Sequence, residues 1–556
     1  MLKTLFLKFG RTQGAPPEKL DLTPVTVFVG PNNSGKSLIL REIYQFCSSG
    51  TTNRNWNIVD RAEFLEFSTD GAKHEIESIR LQPQLGEAFQ VDHIIVGKRG
   101  NRIQVREENL LNILSSPNNH PQAFAAHYLS YNTLMLDGST RINLVNDQPA
   151  GDLQQPGHTS FQVLFRDDAK RDALRRAVEE AFGSYLVVDP TNLGRLRLRL
   201  SRVAPSDPRQ ERGIDSEAVT FHQAATPIEH GSDGVKAFVG IMTEIIAGDP
   251  KVILIDEPEA FLHPALAFKL GKEIASSTLG SDKRLFVSTH SPQFVMGCVQ
   301  SGAPINIVRL TYRDSAATAR VLPSTDLVRL MRNPLLRSTG LLSGLFYEFV
   351  VVTESDADRA FYQEVNERLL ARDPNRGIPN CLFLNAQNKQ TIQQLIRPLR
   401  DLGIPAAAIV DIDVIEEGGS TWVGLLNSAH VPSPMHQPLS TLRATVKDLL
   451  SKTGKNMKKD GGVNLLHGEE QESAINLFQQ LAAYGVFVVQ GGELESWLKH
   501  LGVPGHGPSW LIKIFEKMGE NPSSPEYVVP SDGDVWSFIS DIRKWLTNPD
   551  RKGIAM

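Results

Sequence analysis

Short, fully apolar runs alternate along this chain with stretches whose apolar residues recur every three to four positions. Residues 2–9 read as a strand leading into a polar loop at 10–23. The run Val25-Thr26-Val27-Phe28-Val29 reads as a buried strand, and Ser37-Leu38-Ile39-Leu40-Arg41-Glu42-Ile43 as the helix that follows. Residues 51–106 alternate apolar and polar with glycine breaks, which predicts antiparallel strands at Ile58 to Phe67, His74 to Leu81 and Val91 to Val96. Residues 107–185 predict mainly helix, clearest from Asp167 to Phe182, where Leu174, Ala177, Val178 and Ala181 share a face. Gly194 to Leu200 then alternates strictly and places Arg195, Arg197 and Arg199 on one strand face. A solvated outer face is the plain reading of those arginines, and contact with a phosphate backbone the sharper one.

Residues 320–345 are basic and punctuated by Pro and Gly (Arg329, Arg332, Pro334, Arg337, Gly340, Gly344), the composition of a domain boundary. Beyond it, apolar strands at Phe349–Val352, Leu382–Asn385, Ala406–Val410 and Tyr484–Val489 alternate with helices at Arg359 to Leu370 and 390–402. That alternation implies a parallel α/β sheet with ligands at the strand C-termini. Residues 416–480, with Gly418-Gly419-Ser420, Ser433-Pro434 and Lys452, Lys455, Lys458 and Lys459, read as a flexible basic loop. After Trp510 come short helices around a Pro-rich linker, and Trp536, Phe538, Ile539, Ile542 and Trp545 have the helical spacing of core residues.

Composition narrows this little. The 556 residues suit two to four domains, and a net charge of −5 does not describe a protein that coats nucleic acid. Any such contact must come from local patches. Cys47, Cys298 and Cys381 lie too far apart in sequence for metal spacing or a disulfide framework, which suits a cytoplasmic setting. No stretch approaches 18 uncharged apolar residues, and the short apolar start broken by Lys8 and Arg11 does not suit a signal peptide, so no membrane association is expected.

The chemistry lies at strand ends. Gly30-Pro31-Asn32-Asn33-Ser34-Gly35-Lys36-Ser37, between strand and helix, fits a phosphate-binding loop. Gly30, Asn33 and Gly35 shape a backbone cradle, Lys36 reaches the β/γ-phosphates of ATP, and Ser37 ligates Mg²⁺. The apolar run Val252 to Ile255 ends in Asp256-Glu257. Asp256 would hold Mg²⁺ through water, and Glu257 would polarise the attacking water. In the second half Glu354 begins the turn after a strand, Asp358 lies one helical turn on, and Asp411 and Asp413, two apart, share a face of an extended backbone. If the first and third strands are neighbours these carboxylates converge, and an oxygen-only set points to Mg²⁺ or Mn²⁺.

The order of His230-Gly231-Ser232-Asp233-Gly234, Asp256-Glu257 and Ser288-Thr289-His290 resembles ABC-type ATPases. Ser232-Asp233-Gly234 looks like their signature loop, with Asp233 where Gly is usual, and His290 like their switch histidine. The resemblance implies that Ser232 and Gly234 contact ATP held by a second copy, so that a homodimer or higher homo-oligomer forms through the ATPase heads. The second half resembles a Toprim domain. Glu354 matches its glutamate, Asp411 and Asp413 its Asp-x-Asp pair, and Asp358 and Glu495 the further ligands of the OLD (overcoming lysogenization defect) branch. Ser355 stands where Gly is usual, and no lysine follows Asp413 closely. Lys389 and the cluster at 452–459 are only weak substitutes in sequence.

The expectation is an α/β protein: an ABC-type P-loop ATPase at 1–340 with a helical insertion at 107–185, a Toprim-like parallel domain at 341–500 with an insertion at 416–480, and a helical tail at 501–556. By resemblance it is a cytoplasmic, OLD-like, ATP-regulated and metal-dependent nuclease similar to Gabija-type defence proteins. Glu257, His290, Glu354 and Asp411 would be catalytic, and nucleic acid, DNA above all, the partner. The alternative is an ATP-switched scaffold whose degenerate Toprim domain controls an effector protein.

Overall fold

The computed structural model describes residues 1–554 apart from 84–86, 89, 99–101, 155–156, 314, 323–327 and 329–339. Arg329, Arg332, Pro334 and Arg337 of the boundary stretch therefore lie outside the described residues. The chain divides into two compact units, Met1–Val328 and Arg329–Met556.

In the first unit, β1 (Val25–Val29) is buried at every position, as an interior strand of a sheet covered on both faces must be. The helix α1 (Lys36–Ser49) begins at Gly35. Later come β2 (Thr133–Leu136), a short α2 (Thr140–Asn143), α3 (Asp233–Ile246), β3 (Val252–Asp256), β4 (Arg284–Ser288), β5 (Ile305–Arg313) and β6 (Ala316–Leu322). The sheet order is β6-β5-β1-β4-β3-β2, and only β5 and β6 pair antiparallel. Strand β4 thus separates β1 from β3, and the C-terminal ends of all three lie side by side.

Three expectations for this unit need correction. His74 to Leu81 is not a strand: Thr69–Ile79 is a helix, and only Arg80–Leu81 is extended. Ser68 caps it by accepting from Gly71 N, and Ala72, Glu75, Ile76 and Ile79 are buried at helical spacing. Glu75 disguised that face, because its charge is internal, accepting from Tyr128 Oη at 2.6 Å and Lys251 Nζ at 2.9 Å. Residues 107–185 also contain β2, a four-residue strand seated beside β3. Its neighbour supplies the order that so short a run does not encode.

The arginine strand has neither of its expected roles at two positions. Arg195–Ser201 pairs with Tyr185–Asn192, and Arg197 and Arg199 reach the fully buried Asp189 at 2.8 and 2.5 Å. Burial alone would raise the Asp189 carboxyl, but hydrogen bonds from Thr191 and Arg199 outweigh it and hold the group below its usual range.

The second unit contains β7 (Phe349–Thr353), α4 (Asp356–Arg372), β8 (Cys381–Asn385), α5 (Lys389–Asp401), β9 (Ala406–Asp411) and β10 (Val486–Val489). The strand order is β8-β7-β9-β10, all parallel, so the first and third strands are neighbours. Residues 416–480 are not a loop. They form helices Gly419–Ser428, His436–Lys452 and Glu469–Ala482, whose buried faces (Ala474, Leu477, Phe478 and Leu481 in the last) have helical spacing. The Gly and Pro residues that suggested a loop sit at the start of the first helix, as Gly418 and Gly419 do, or between the helices. Trp510, Trp536, Ile539 and Ile542 complete the same core as Phe361 and Phe487.

One buried cation ties this unit together. Arg400 is fully buried and donates to the carbonyls of Ala406, Ala429, Tyr484 and Gly553 at 2.7–3.0 Å. Replacing it by methionine leaves several carbonyls without a donor, at roughly 1–3 kcal/mol each. Arg400→Met is therefore expected to destabilise this unit by more than about 3 kcal/mol, read as a lowered urea midpoint of its unfolding transition.

Candidate active sites

The loop after β1 is shaped by backbone contact. Gly30 has φ +145, and a Cβ there would lie 2.0 Å from the Leu310 carbonyl oxygen, so no other residue fits. Asn33 is also left-handed, with φ 61, and is exposed. Lys36 is 5% exposed, and its Nζ donates to the Gly30 and Pro31 carbonyls at 2.9 and 2.7 Å. Burial pushes this ammonium down to about 8, against the pull of Glu257 and Asp256.

Pairing of β4 between β1 and β3 brings the other groups to this loop. Ser37 Oγ donates to Asp256 Oδ1 at 2.9 Å, and Ser288 Oγ donates to the same oxygen. Glu257 follows with φ 50, its N–H on the Ser288 carbonyl at 2.9 Å. His290 Nε2 lies 3.4 Å from Glu257 Oε1. Burial, then the Lys36 charge, lower the His290 pKa and favour neutral imidazole. Glu259, which the sequence did not single out, accepts from His290 N at 2.6 Å and so joins the acidic turn to the histidine. Lys36, Ser37, Asp256, Glu257 and His290 thus form one constellation. Ser232 and Gly234 belong to the start of α3: Ser232 is its N-cap, and a Cβ on Gly234 would lie 2.6 Å from the Phe261 carbonyl oxygen.

In the second unit, β7 and β9 place Glu354, Asp411 and Asp413 so that one carboxylate oxygen from each lies within 4.8 Å of the others. Glu354 Oε1 accepts from Asp411 N at 2.9 Å. The shared face was expected from extended backbone, but Asp413 sits in the 3-10 turn Ile412–Glu416. Burial, then the facing Asp411 charge, push the Glu354 carboxyl well above its usual range. Burial raises Asp411 too, against the pull of Lys458.

Asp358 and Glu495 are placed differently from these three. Asp358 Oδ2 accepts from Ser355 N and Oγ at 2.9 and 2.8 Å, closing a capping box at the start of α4. Ser355, a departure from the Toprim pattern, thus has a structural role. Glu495 Oε1 accepts from Gly507 N at 2.6 Å and groups with His506 and with Glu493, which was not among the expected ligands.

The lysine absent after Asp413 is supplied in space. Lys458 Nζ lies 2.8 Å from Asp411, 3.5 Å from Asp413 and 3.8 Å from Glu493, while Lys389 Nζ lies 3.0 Å from Asp413. Gly492, φ +127, permits the approach, since a Cβ there would lie 2.0 Å from the Lys458 carbonyl oxygen. Asp413 Oδ1 is buried without a hydrogen-bond partner. An all-oxygen set, crowded like charges and this orphaned oxygen together fit a hard divalent cation such as Mg²⁺ or Mn²⁺.

Comparison with known proteins agrees with both halves. Residues 145–296 match the family described as AAA domain, putative AbiEii toxin, Type IV TA system. Residues 345–413 match the Overcoming lysogenization defect protein-like TOPRIM domain. No curated protein matches the sequence. Similar solved structures include an SmcHead bound to the C-winged helix domain of ScpA, at 14% identity and TM-score 0.32 over 58% of this chain and 98% of that one. Another is the SMC head domain from Thermotoga maritima, at 13% identity and TM-score 0.28 over 58% of this chain and 99% of that one. Among the described residues no helix is long and apolar enough to cross a membrane. The chain joins an AAA-type P-loop ATPase domain to an OLD-like Toprim domain, the ATPase–Toprim architecture of the OLD family.

Proposed function

We propose that this protein is an ATP-regulated, divalent-metal-dependent endonuclease acting on DNA in the cytoplasm, in prokaryotic anti-phage defence as its OLD-like domain pairing suggests. The observation that carries the reading is the convergence of Glu354, Asp411 and Asp413 beside Lys458. A divalent cation bound by these carboxylates would polarise a phosphodiester and activate water. Lys458 and Lys389 limit the repulsion among the acids and present positive charge to a phosphate. They also weaken the scaffold alternative, which rested on Ser355 and a missing lysine.

In the first unit Lys36 and the loop N–H groups bind the ATP phosphates, Ser37 and Asp256 hold Mg²⁺, Glu257 orients water, and His290 senses the γ-phosphate. Ser232 and Gly234 act on ATP held by a second copy, so ATP drives association of the heads. Incubation of supercoiled plasmid with the purified protein tests the nuclease reading. Nicking is expected with Mg²⁺ or Mn²⁺, dependent on nucleotide state and abolished by EDTA. Intact plasmid under every metal and nucleotide combination would refute it.

A further inference from the structure

We propose that Arg141 is a positioning residue for ATP hydrolysis, holding the acidic turn from which Glu257 projects. The inference rests on the ATPase reading above.

Strand β2 pairs with β3 only as far as Leu136 opposite Ile255. The carbonyls of Asp256 and Glu257 therefore run past the end of their neighbouring strand. Carbonyls left without a strand partner still need donors, and Arg141 supplies one to both. Its side chain is 2% exposed, and Nη1 donates to Asp256 O at 3.1 Å and Glu257 O at 2.5 Å. The guanidinium also lies 5.8 Å from the ring centroid of Phe261, at the far end of the same turn.

That turn needs holding. Glu257 and Phe261 both have left-handed backbone, φ 50 and 70, a conformation that persists in such residues only where the surroundings enforce it. The Glu257 N–H is anchored on Ser288 and its C=O on Arg141. With both sides of the residue fixed, the half-exposed Glu257 side chain leaves the backbone in one direction.

Arg141 is itself held from two sides. Asp137 Oδ1 accepts from Ser139 N at 3.1 Å and Thr140 N at 2.9 Å, which sets the start of α2. On α3, a Cβ at Gly240 would lie 2.5 Å from the Arg141 carbonyl oxygen. The helix that begins at Ser232 thus packs directly on the backbone of the residue that grips the acidic turn. This is a physical route from the signature loop to Glu257.

The test measures steady-state ATP hydrolysis, affinity for a fluorescent ATP analogue and thermal stability of wild type, Arg141→Met and Arg141→Lys. Arg141→Met is expected to lower kcat by about 10- to 100-fold, with nucleotide affinity within about threefold of wild type. Arg141→Lys, which keeps the charge and a donor, is expected to recover part of kcat. Wild-type kcat in both variants would overturn the proposal. So would losses of affinity and kcat that match, because a merely structural residue behaves that way. If Arg141→Met does not fold, Arg141→Lys decides through the same split between kcat and affinity. A wild-type protein without ATPase activity would overturn the ATPase reading and this inference together, whereas an active wild type with unaffected variants overturns only the inference.

Discussion

Glu354→Ala is expected to lower metal-dependent plasmid cleavage by roughly a thousandfold or more, since a metal centre contributes several kcal/mol to the transition state and 1.36 kcal/mol is tenfold. The change removes one of three converging carboxylates and also the acceptor of Asp411 N–H. Glu354→Gln separates the two effects. It retains an acceptor for that N–H but lacks the charge, so it should fold as wild type and still fail to cleave. Asp411→Ala should resemble Glu354→Ala. Calorimetric titration with Mn²⁺ reads the cause, because affinity should fall along with cleavage. Asp358→Ala makes a useful contrast: it opens the α4 capping box, with an expected cost of about 1 kcal/mol in stability. Nicking at the wild-type rate by Glu354→Ala and Asp411→Ala would remove these acids from the reaction.

In the ATPase unit, Lys36→Ala and Glu257→Gln are expected to suppress hydrolysis by different routes. Lys36 is the cation at the loop, so its loss should abolish measurable ATP binding. Glu257 lies beyond the Ser37–Asp256 pair and within 3.4 Å of His290. Its replacement should leave ATP binding near wild type while kcat falls by about 10²–10⁴-fold, the usual contribution of a general base. If ATP joins two heads, Glu257→Gln should accumulate as the ATP-bound oligomer and Lys36→Ala should not. Sedimentation with and without ATP distinguishes them. Equal hydrolysis by wild type and Glu257→Gln would assign the catalytic base elsewhere.

How legible each part was depends on how local its signal is. The phosphate loop was readable because Gly30, Gly35 and Lys36 lie within eight consecutive residues, and the two glycines take left-handed backbone angles that favour glycine. The β7 and β9 acids were readable because each follows an unbroken apolar run. The helix Thr69–Ile79 was not, because its inward face includes Glu75, whose partners Tyr128 and Lys251 lie 53 and 176 residues away. The insertion at 416–480 was misread because Gly and Pro between helices resemble Gly and Pro in a loop.

Local chemistry therefore indicated the α/β class with its ATPase and Toprim halves, the phosphate-loop sequence and the strand-end acids of the second half, since each is written in a few consecutive residues. Folding alone decided that Lys458 and Lys389 would face those acids, that β2 would seat beside β3, and that Arg141 would grip the acidic turn. Those placements arise from sheet order and close backbone approach between residues far apart in the chain. No periodicity or spacing rule records such contacts before the chain is packed.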